Sequence, residues 1–458
     1  MPELDFAPGI EKAFIGTFEE GDKSLSLQGK VPTELSGDYY LLCPGRFDAS
    51  PQAHWLDGDG LLFHLRLDSG QAKARTQYVR TEKYLDSSTS PKAFRGFARS
   101  GGQLSRHHAL ATPANVAVRF HADQLLAFGE HAIPYALNPA TLETLGEFDF
   151  QGQLAGWHPM GAHLKQDPRT GELYSFGLNY TPSGTELLLY RFDRKQRLIY
   201  KKAHPLPAAH YIHDFLISGR FCIFHLSPYY FQLDRFVQGA SFLESLNWTP
   251  TKPSELWIYE RITGKFLGQL PVGPGFSVHT INAFDEGDTL FVDFVEFTRP
   301  FYDELFLKRL FADVPHGRPV RAKIKVPACT LESRNELAYD NGPDFPHVAA
   351  RSVGQRYEEF WALGISNTGR SGKKFYDELL CFDWEHGTKQ RFSQAEEFYC
   401  GEPCALNDRW LLCQSFRPKT GLCTFQLFEA RQVQNGPVAS FTLKQALPLG
   451  LHCTFIPS

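Results

Sequence analysis

The sequence lacks the features that mark membrane-spanning, secreted, nucleic-acid-binding and nucleotide-binding proteins. No apolar run approaches the ~18 residues that a helix needs to span a bilayer. The N-terminal segment MPELDFAPGIEKAF has neither the basic region nor the apolar core of a signal peptide. Lysine and arginine form no basic stripe and the formal net charge is −4, so we expect no nucleic-acid partner. No Gly-x-Gly-x-x-Gly follows a strand, which argues against a nucleotide cofactor. These absences predict a cytoplasmic protein.

The nine cysteines form neither a zinc set nor a disulfide framework. Cys400 and Cys404 lie on either side of a Gly-Glu-Pro segment, but no second Cys or His pair completes a tetrahedral site. We expect buried, reduced thiols. Methionine is scarce, with two residues, whereas there are 39 phenylalanines and 18 tyrosines. Aromatic residues in this number can fill a core and can also line an apolar cavity.

The 458 residues contain no Gly/Ser linker and no low-complexity segment, so we interpret residues 1–458 as one domain. A short strand, a polar turn and a second strand recur, and the turns use Asp, Asn, Thr and Gly, which favour tight turns. Alternating, β-branched and aromatic residues on both sides predict β-hairpins. The six clearest hairpins are 134–148, 163–177, 188–202, 256–270, 379–392 and 424–441.

Repeated hairpins with few helical segments between them predict an all-β fold. Radial repetition of antiparallel sheets, as in a β-propeller, protects the strand edges, and a double β-sandwich is the alternative. Residues 299–314 have apolar residues at helical spacing and are the main candidate for a helix that caps one face.

Four of the 17 histidines each lie at the end of a strand-like run, beside a turn, an amide or an acid. They are His163, His213, His279 and His452. They are far apart in the chain, so only a fold that converges distant strands on one axis can bring them together. His158 precedes the first of them in GWHPMGAH, but the hairpin register favours His163.

At these residues the chain resembles the carotenoid cleavage oxygenase family. That family includes apocarotenoid oxygenases, lignostilbene dioxygenases and the retinal pigment epithelium isomerase. LSLQGKVPTELSGDYYLLCPGRF (25–47) and HWLDGDGLLFHLRL (54–67) are similar to its opening motifs. AHLKQDPRTGELYSFG, IHDFLI, FSVHTINAFDEGD and GLHCTF match its four histidine motifs in order. The resemblance implies a seven-bladed β-propeller with a small helical and loop cap over the active site, and an Fe(II) ion bound by the four histidines.

The resemblance also implies carboxylates that accept a hydrogen bond from the outer nitrogen of the histidines. Glu130 and Glu402 match two of the family's three glutamates. Asp344 stands where the family has the third glutamate, and its side chain is one methylene shorter, so the resemblance alone does not predict its hydrogen bond. Cys453 replaces a usual glycine, and Val116 stands where many members have threonine.

By resemblance, the expected reaction is cleavage of a carbon–carbon double bond of a carotenoid or apocarotenoid with O₂, giving two carbonyl products. A phenolic stilbene is the alternative substrate, although lignostilbene-type members have a lysine where this chain has Gly129. A non-catalytic propeller with a structural metal is the third possibility. The implied partners are an apolar polyene and O₂, with a possible peripheral membrane contact for substrate extraction. The sequence does not indicate an oligomeric state.

Overall fold

The computed structural model describes residues 5–16, 18–47, 53–89, 94–107, 110–339, 341–393 and 398–458. Seven antiparallel sheets of four or five strands form the blades of a β-propeller, accompanied by one two-stranded sheet. The prediction of a propeller is therefore confirmed, and the double sandwich is excluded.

In chain order, the first sixteen strands are β1 (Gly21–Lys23), β2 (Leu25–Gly29), β3 (Gly37–Gly45), β4 (Asp59–Asp68), β5 (Gln71–Tyr78), β6 (Ala117–His121), β7 (Gln124–Phe128), β8 (Tyr135–Leu137), β9 (Thr144–Glu147), β10 (Lys165–Gln166), β11 (Leu173–Thr181), β12 (Gly184–Phe192), β13 (Leu198–Leu206), β14 (Phe215–Ile217), β15 (Phe221–Leu226) and β16 (Tyr229–Phe231). The second sixteen are β17 (Leu246–Trp248), β18 (Ser254–Glu260), β19 (Phe266–Gly273), β20 (Thr280–Glu286), β21 (Thr289–Glu296), β22 (Arg318–Lys325), β23 (Thr330–Glu336), β24 (Asp344–His347), β25 (Glu359–Gly364), β26 (Glu378–Asp383), β27 (Gly387–Ser393), β28 (Tyr399–Ala405), β29 (Trp410–Arg417), β30 (Leu422–Glu429), β31 (Ala439–Leu443) and β32 (Cys453–Pro457).

Helices are few and short in the described part of the chain. The α-helices are α1 (Glu82–Thr89) and α2 (Leu233–Val237). The 3₁₀-helices are Ile10–Ala13, Trp55–Asp57, Leu243–Ser245, Tyr302–Leu305, Ala350–Ser352 and Val433–Asn435. Within the described ranges, no helix has the length and apolar character needed to cross a membrane.

The blades have the strand orders β1-β5-β4-β3-β32, β6-β7-β8-β9, β10-β11-β12-β13, β14-β15-β18-β19, β20-β21-β22-β23, β24-β25-β26-β27 and β2-β31-β30-β29-β28, and β16 pairs with β17. The strands at the propeller axis are β6, β10, β14, β20, β24, β28 and β32, because residues from all seven line one central cavity.

Two strand pairings close the ring. The C-terminal strand β32 pairs with β3 of the first blade, and the N-terminal strand β2 pairs with β31 of the last blade. Each end of the chain thus completes a blade built mainly from the other end. Such closure leaves no open gap between the first and last blades.

The six predicted hairpins are all present as adjacent antiparallel pairs. Their turns follow the expected chemistry. The side chain of Asn138 accepts hydrogen bonds from the N–H groups of Ala140 and Thr141, and Gly264 has a positive φ of 69°. The local turn residues therefore account for these hairpins.

The prediction of a helix over residues 299–314 is wrong. The structure has only the single 3₁₀ turn Tyr302–Leu305 there, and Leu310 and Phe311 have positive φ angles of 29° and 57°, which interrupt any helix. The apolar residues of this segment are buried instead in the main core. This part of the cap is a packed loop whose apolar spacing reflects burial.

All nine cysteines are free thiols, and every one except Cys329 is buried, as expected. Strands β15 and β28 are buried at every residue, because the blades pack face to face. Most of the phenylalanines and tyrosines that the structure describes are buried in the core.

Candidate metal centre

Each of the four singled-out histidines lies just before an axial strand of a different blade. His279 and His452 directly precede β20 and β32, and His163 and His213 stand two residues before β10 and β14. The axial strands converge at these ends. The fold therefore brings together four side chains that are remote in the sequence.

The four imidazoles form one compact, buried group. They are 3 to 7% exposed, and one nitrogen from each lies within 4.8 Å of the others. Nε2 of His163 is 2.9 Å from Nε2 of His213. Two imidazoles on one metal, at right angles and with bonds of about 2.1 Å, would place their nitrogens about 3 Å apart. The group thus has the dimensions of a metal site.

Two of the predicted carboxylates lie against the outer nitrogens of these rings. Nδ1 of His213 is 3.0 and 3.1 Å from the two carboxylate oxygens of Glu130. Nδ1 of His452 is 2.8 Å from Oε1 of Glu402. These contacts leave Nε2 of each histidine directed at the group.

Asp344 also reaches its histidine, in spite of its shorter side chain. Its Oδ1 is 2.8 Å from Nδ1 of His279, and Tyr376 donates a hydrogen bond to its Oδ2 at 3.3 Å. The register of β24 against β25 shifts between Asp344 and His347, and Phe345 has a φ of 51°. A bulge of this kind re-aims a side chain, which accounts for the approach of the shorter acid.

Asp214 is a residue that the sequence analysis did not assign. Its Oδ1 is 3.6 Å from Nδ1 of His163 and 2.9 Å from Nζ of Lys165. Its Oδ2 accepts hydrogen bonds from the backbone and hydroxyl of Thr280 at 2.9 and 2.6 Å. Its place directly after His213 was the only signal in the sequence. Asp214 ties together the three blades that carry His163, His213 and His279.

Both carboxylate oxygens of Glu402 accept hydrogen bonds. While Oε1 meets His452, Oε2 accepts the backbone N–H of Cys453 at 2.8 Å and its thiol at 3.1 Å. Burial alone raises the pKa of Glu402, but His452 outweighs it and lowers the pKa to about 2. Burial raises the pKa of the Cys453 thiol, which keeps it protonated as a donor. Cys453, expected as a packing residue, is also a hydrogen-bond partner.

Burial favours the neutral, metal-binding form of two of the four histidines. Burial lowers the pKa of His163 well below its ordinary value and lowers that of His452. Burial also acts to lower the pKa of His279, but Asp344 outweighs it and raises the pKa. Neutral imidazoles offer a free lone pair, and a metal competes with the proton for it.

Aromatic side chains pack between the centre and the loop 299–314, and we call this the cap side. Phe345 lies over the rings of His279 and His452, with centroid distances of 4.9 and 5.4 Å. We define the aromatic cluster as the mutually contacting rings Phe97, Tyr211, Tyr229, Phe242, Phe276, Phe301 and Tyr302. Val116 accepts the backbone N–H of His452 at 3.1 Å, and it lines a small cap-side cavity together with Phe97 and Glu130.

His158 lies outside the four-histidine group. Its Nε2 is 2.6 Å from Nζ of Lys201, and its ring stacks on Trp157. The register argument that preferred His163 agrees with this placement.

Comparison with known proteins identifies the family. The family model described as retinal pigment epithelial membrane protein, RPE65, matches residues 15–457. The chain belongs to this family. The RPE65 family is the carotenoid oxygenase family that the sequence motifs resemble, so that resemblance is confirmed.

Individual RPE65-family relatives match over nearly the whole chain. An apocarotenoid-15,15'-oxygenase from Synechocystis sp. is 28% identical, covering 93% of this chain and 91% of its own. A lignostilbene-alpha,beta-dioxygenase, isozyme III, from Sphingomonas paucimobilis is 24% identical, covering 94% of both. The crystal structure of cobalt-substituted Synechocystis ACO superposes with a TM-score of 0.88 at 24% identity, covering 98% of each chain. That structure establishes the shared fold.

Proposed function

We propose that this RPE65-family chain is an Fe(II)-dependent dioxygenase that cleaves a carbon–carbon double bond of a carotenoid or apocarotenoid with O₂. The main support is the buried group of four histidines from four blades. Three of these histidines have a carboxylate at Nδ1. The relative named as an apocarotenoid oxygenase supports the reaction type. The products are two carbonyl compounds.

We propose His163, His213, His279 and His452 as the iron ligands and Glu130, Asp344 and Glu402 as their carboxylate partners. Imidazoles suit ferrous iron, and a ferrous ion held there would supply the site of O₂ activation. The carboxylates hold the Nδ1–H of His213, His279 and His452, which fixes the tautomer and the orientation of these three rings. Asp214 contributes negative charge near His163 and holds Lys165.

The cap side fits an apolar substrate. Phe345 packs against His279 and His452, and Tyr211 of the aromatic cluster donates a hydrogen bond to Glu130, the partner of His213. Such a surface can hold a polyene by van der Waals contact and exclude water from the reacting bond. Orientation of one double bond against the centre then decides which bond is cut.

Phenolic stilbenes are the second candidate substrates, and two observations bear on them. A Cβ at Gly129 would lie 2.1 Å from Oγ1 of Thr112, so the lysine of lignostilbene-type members would fit here only if the Thr112 side chain moved. His131, which lines the cap-side cavity, has a buried Nε2 without a hydrogen-bond partner. A substrate hydroxyl would satisfy that atom. The first observation favours a polyene and the second favours a hydroxylated substrate.

A substrate panel separates these candidates. The protein is loaded anaerobically with Fe(II), mixed with O₂ and either a long apocarotenal or resveratrol, and the products are identified by mass. We expect aldehyde products from the apocarotenal at a higher kcat/KM than from resveratrol. The reverse order would favour the stilbene reading. A protein that retains iron but yields no carbonyl product from either would be a non-catalytic metal protein.

We further propose that residues 1–458 form a single domain.

We also propose a peripheral membrane contact through which the substrate is extracted. Two apolar residues on short helices are exposed, Leu85 of α1 to 50% and Val237 of α2 to 71%. Both helices contact the segment 94–103. Exposed apolar residues on short helices can enter a lipid interface. Co-sedimentation with neutral vesicles should fall for Val237→Asp and stay unchanged for Val438→Asp. Equal sedimentation of both variants would count against this contact.

A further inference from the structure

A second cavity opens beside the four-histidine group and is lined by none of the rings of the aromatic cluster. It has a volume of about 260 Å³, begins at His163, His279 and His452, and follows the axial strands of all seven blades. Small-molecule sites usually have volumes of about 300 Å³ or more, so this cavity approaches the size of such a site. The proposed polyene reaction uses the histidines and Phe345 at one end of this cavity and assigns no role to the rest of it.

Arg119 places a positive charge in this cavity. It lies on β6, and its Nη1 donates to the backbone carbonyls of Val118 at 3.0 Å and Cys453 at 2.6 Å. No carboxylate in the described part of the chain forms an ion pair with it. A guanidinium has five N–H donors, so the two carbonyls leave donors of Arg119 available to a ligand.

His347 adds a second polar group without a partner. It lies on β24 and lines the same cavity, and no hydrogen bond of its imidazole is formed with any described residue. Burial lowers its pKa to about 4, so its ring is neutral and can donate one N–H. The His347 ring interacts electrostatically with four charged or titratable neighbours: Glu402, Arg119, His452 and Lys165.

The two acids that line the cavity are already used. Asp214 holds Lys165 and Thr280, and Glu402 holds His452 and Cys453. Lys165 is the second cationic residue that lines the cavity, and its charge is balanced by Asp214. Arg119 is therefore the cation that an incoming group can pair with.

The remaining walls are apolar. Phe120, Leu216, Ile281 and Val348 come from four different axial strands or their ends and line the cavity beside the polar groups. An inorganic oxyanion would use only the donors. A ligand with both a carboxylate and a compact apolar body would satisfy the donors and cover the apolar wall.

We propose that this axial cavity is a binding site for a small organic carboxylate. Arg119 pairs with the carboxylate, His347 donates a hydrogen bond to it, and the apolar body packs against Phe120 and Leu216. Arginine suits carboxylates because its planar fork can donate two parallel hydrogen bonds. Neither Arg119 nor His347 belongs to the proposed metal site, and this inference does not depend on the oxygenase reaction.

Calorimetric titration of the full-length, metal-loaded protein tests the proposal, with benzoate as the probe and benzyl alcohol as its neutral analogue. We expect saturable benzoate binding and much weaker binding of benzyl alcohol. Arg119→Gln should weaken benzoate binding roughly tenfold or more, because a charge-assisted pair is lost. His347→Gln should weaken it to a smaller extent.

The matched control is Arg318→Gln, since Arg318 is an exposed arginine of β22 that pairs with Glu336. This control should leave benzoate binding unchanged, and thermal unfolding and metal content verify that Arg119→Gln is folded. Three results would overturn the proposal: no saturable benzoate binding, equal binding by wild type and Arg119→Gln, or equal binding of benzyl alcohol. Binding of inorganic phosphate without binding of benzoate would also contradict it.

Discussion

At the scale of single residues, the centre depends on carboxylates that reach it by different routes. Glu130 and Glu402 approach their histidines from positions that the family motifs mark. Asp344 achieves the same contact with a shorter side chain because the backbone bulges at Phe345. The charge and the position of the carboxylate are retained, while the backbone supplies the missing length.

Replacement of Asp344 by asparagine tests this role. Asp344→Asn keeps the size but removes the charge that orients and polarises His279. We expect roughly 10- to 100-fold weaker metal retention, the usual effect of removing such a partner. Metal content after dialysis against graded chelator measures it, with the exposed Asp22→Asn as the control. Retention equal to that of the wild type would mean that Asp344 does not support the centre.

Cys453 provides a second test at this scale. Its thiol donates to Glu402, so Cys453→Ala removes one donor while the backbone N–H contact remains. We expect a loss of about 1 kcal/mol in the free energy of unfolding and a small loss of metal affinity, with partial recovery in Cys453→Ser. Denaturant unfolding of the three proteins measures the difference. If alanine and serine variants behave alike, the thiol hydrogen bond has no energetic role.

At the scale of elements, the hairpins could be predicted because each turn carries its own chemistry. The conformation of the cap loop 299–314 could not be predicted in this way. The segment 299–314 has a helical spacing of apolar residues, yet positive φ angles at Leu310 and Phe311 prevent a helix. Nothing in the local sequence indicates these φ angles. A loop whose apolar residues are buried by contacts with distant segments has no periodicity to reveal its path.

The loop before His163 depends on a glycine in the neighbouring strand. A Cβ at Gly177 of β11 would lie 2.0 Å from the carbonyl oxygen of Pro159, and Gly161 donates its N–H to Phe176 at 2.7 Å. Gly177→Ala should therefore push this loop away and lower the free energy of unfolding by about 1–3 kcal/mol. Gly16→Ala is the control, since its Cβ would meet nothing closer than 3.8 Å. Equal unfolding curves for the two variants would contradict the close approach.

At the scale of the whole molecule, the sequence indicated a propeller from its hairpins, but the number of blades came only from the family resemblance. The two-way closure by β32 and β2 joins segments from opposite ends of the chain, which no local pattern reveals. The role of Asp214 and the axial cavity escaped prediction for the same reason. Both depend on which side chains seven separate blades bring to one axis.

Because the four histidines come from four blades, metal binding should stabilise the ring as a unit. A ligand at 100 times its Kd adds about 2.7 kcal/mol to the stability of the folded state. We expect the thermal midpoint to rise on addition of Fe(II) under anaerobic conditions and to fall again with chelator. His279→Ala should abolish the rise, while the exposed His386→Ala should keep it. A shift that survives in His279→Ala would place the metal elsewhere.

We propose above that this chain inserts the two atoms of O₂ across a double bond at the four-histidine centre. The most direct measurement is incubation of the Fe(II)-loaded protein with a long apocarotenal under ¹⁸O₂, with immediate reduction of the products to prevent oxygen exchange. We expect two cleavage products, each of which carries one ¹⁸O atom at its new end. Iron-loaded protein that leaves the apocarotenal intact, or products whose new oxygen comes from water, would contradict it.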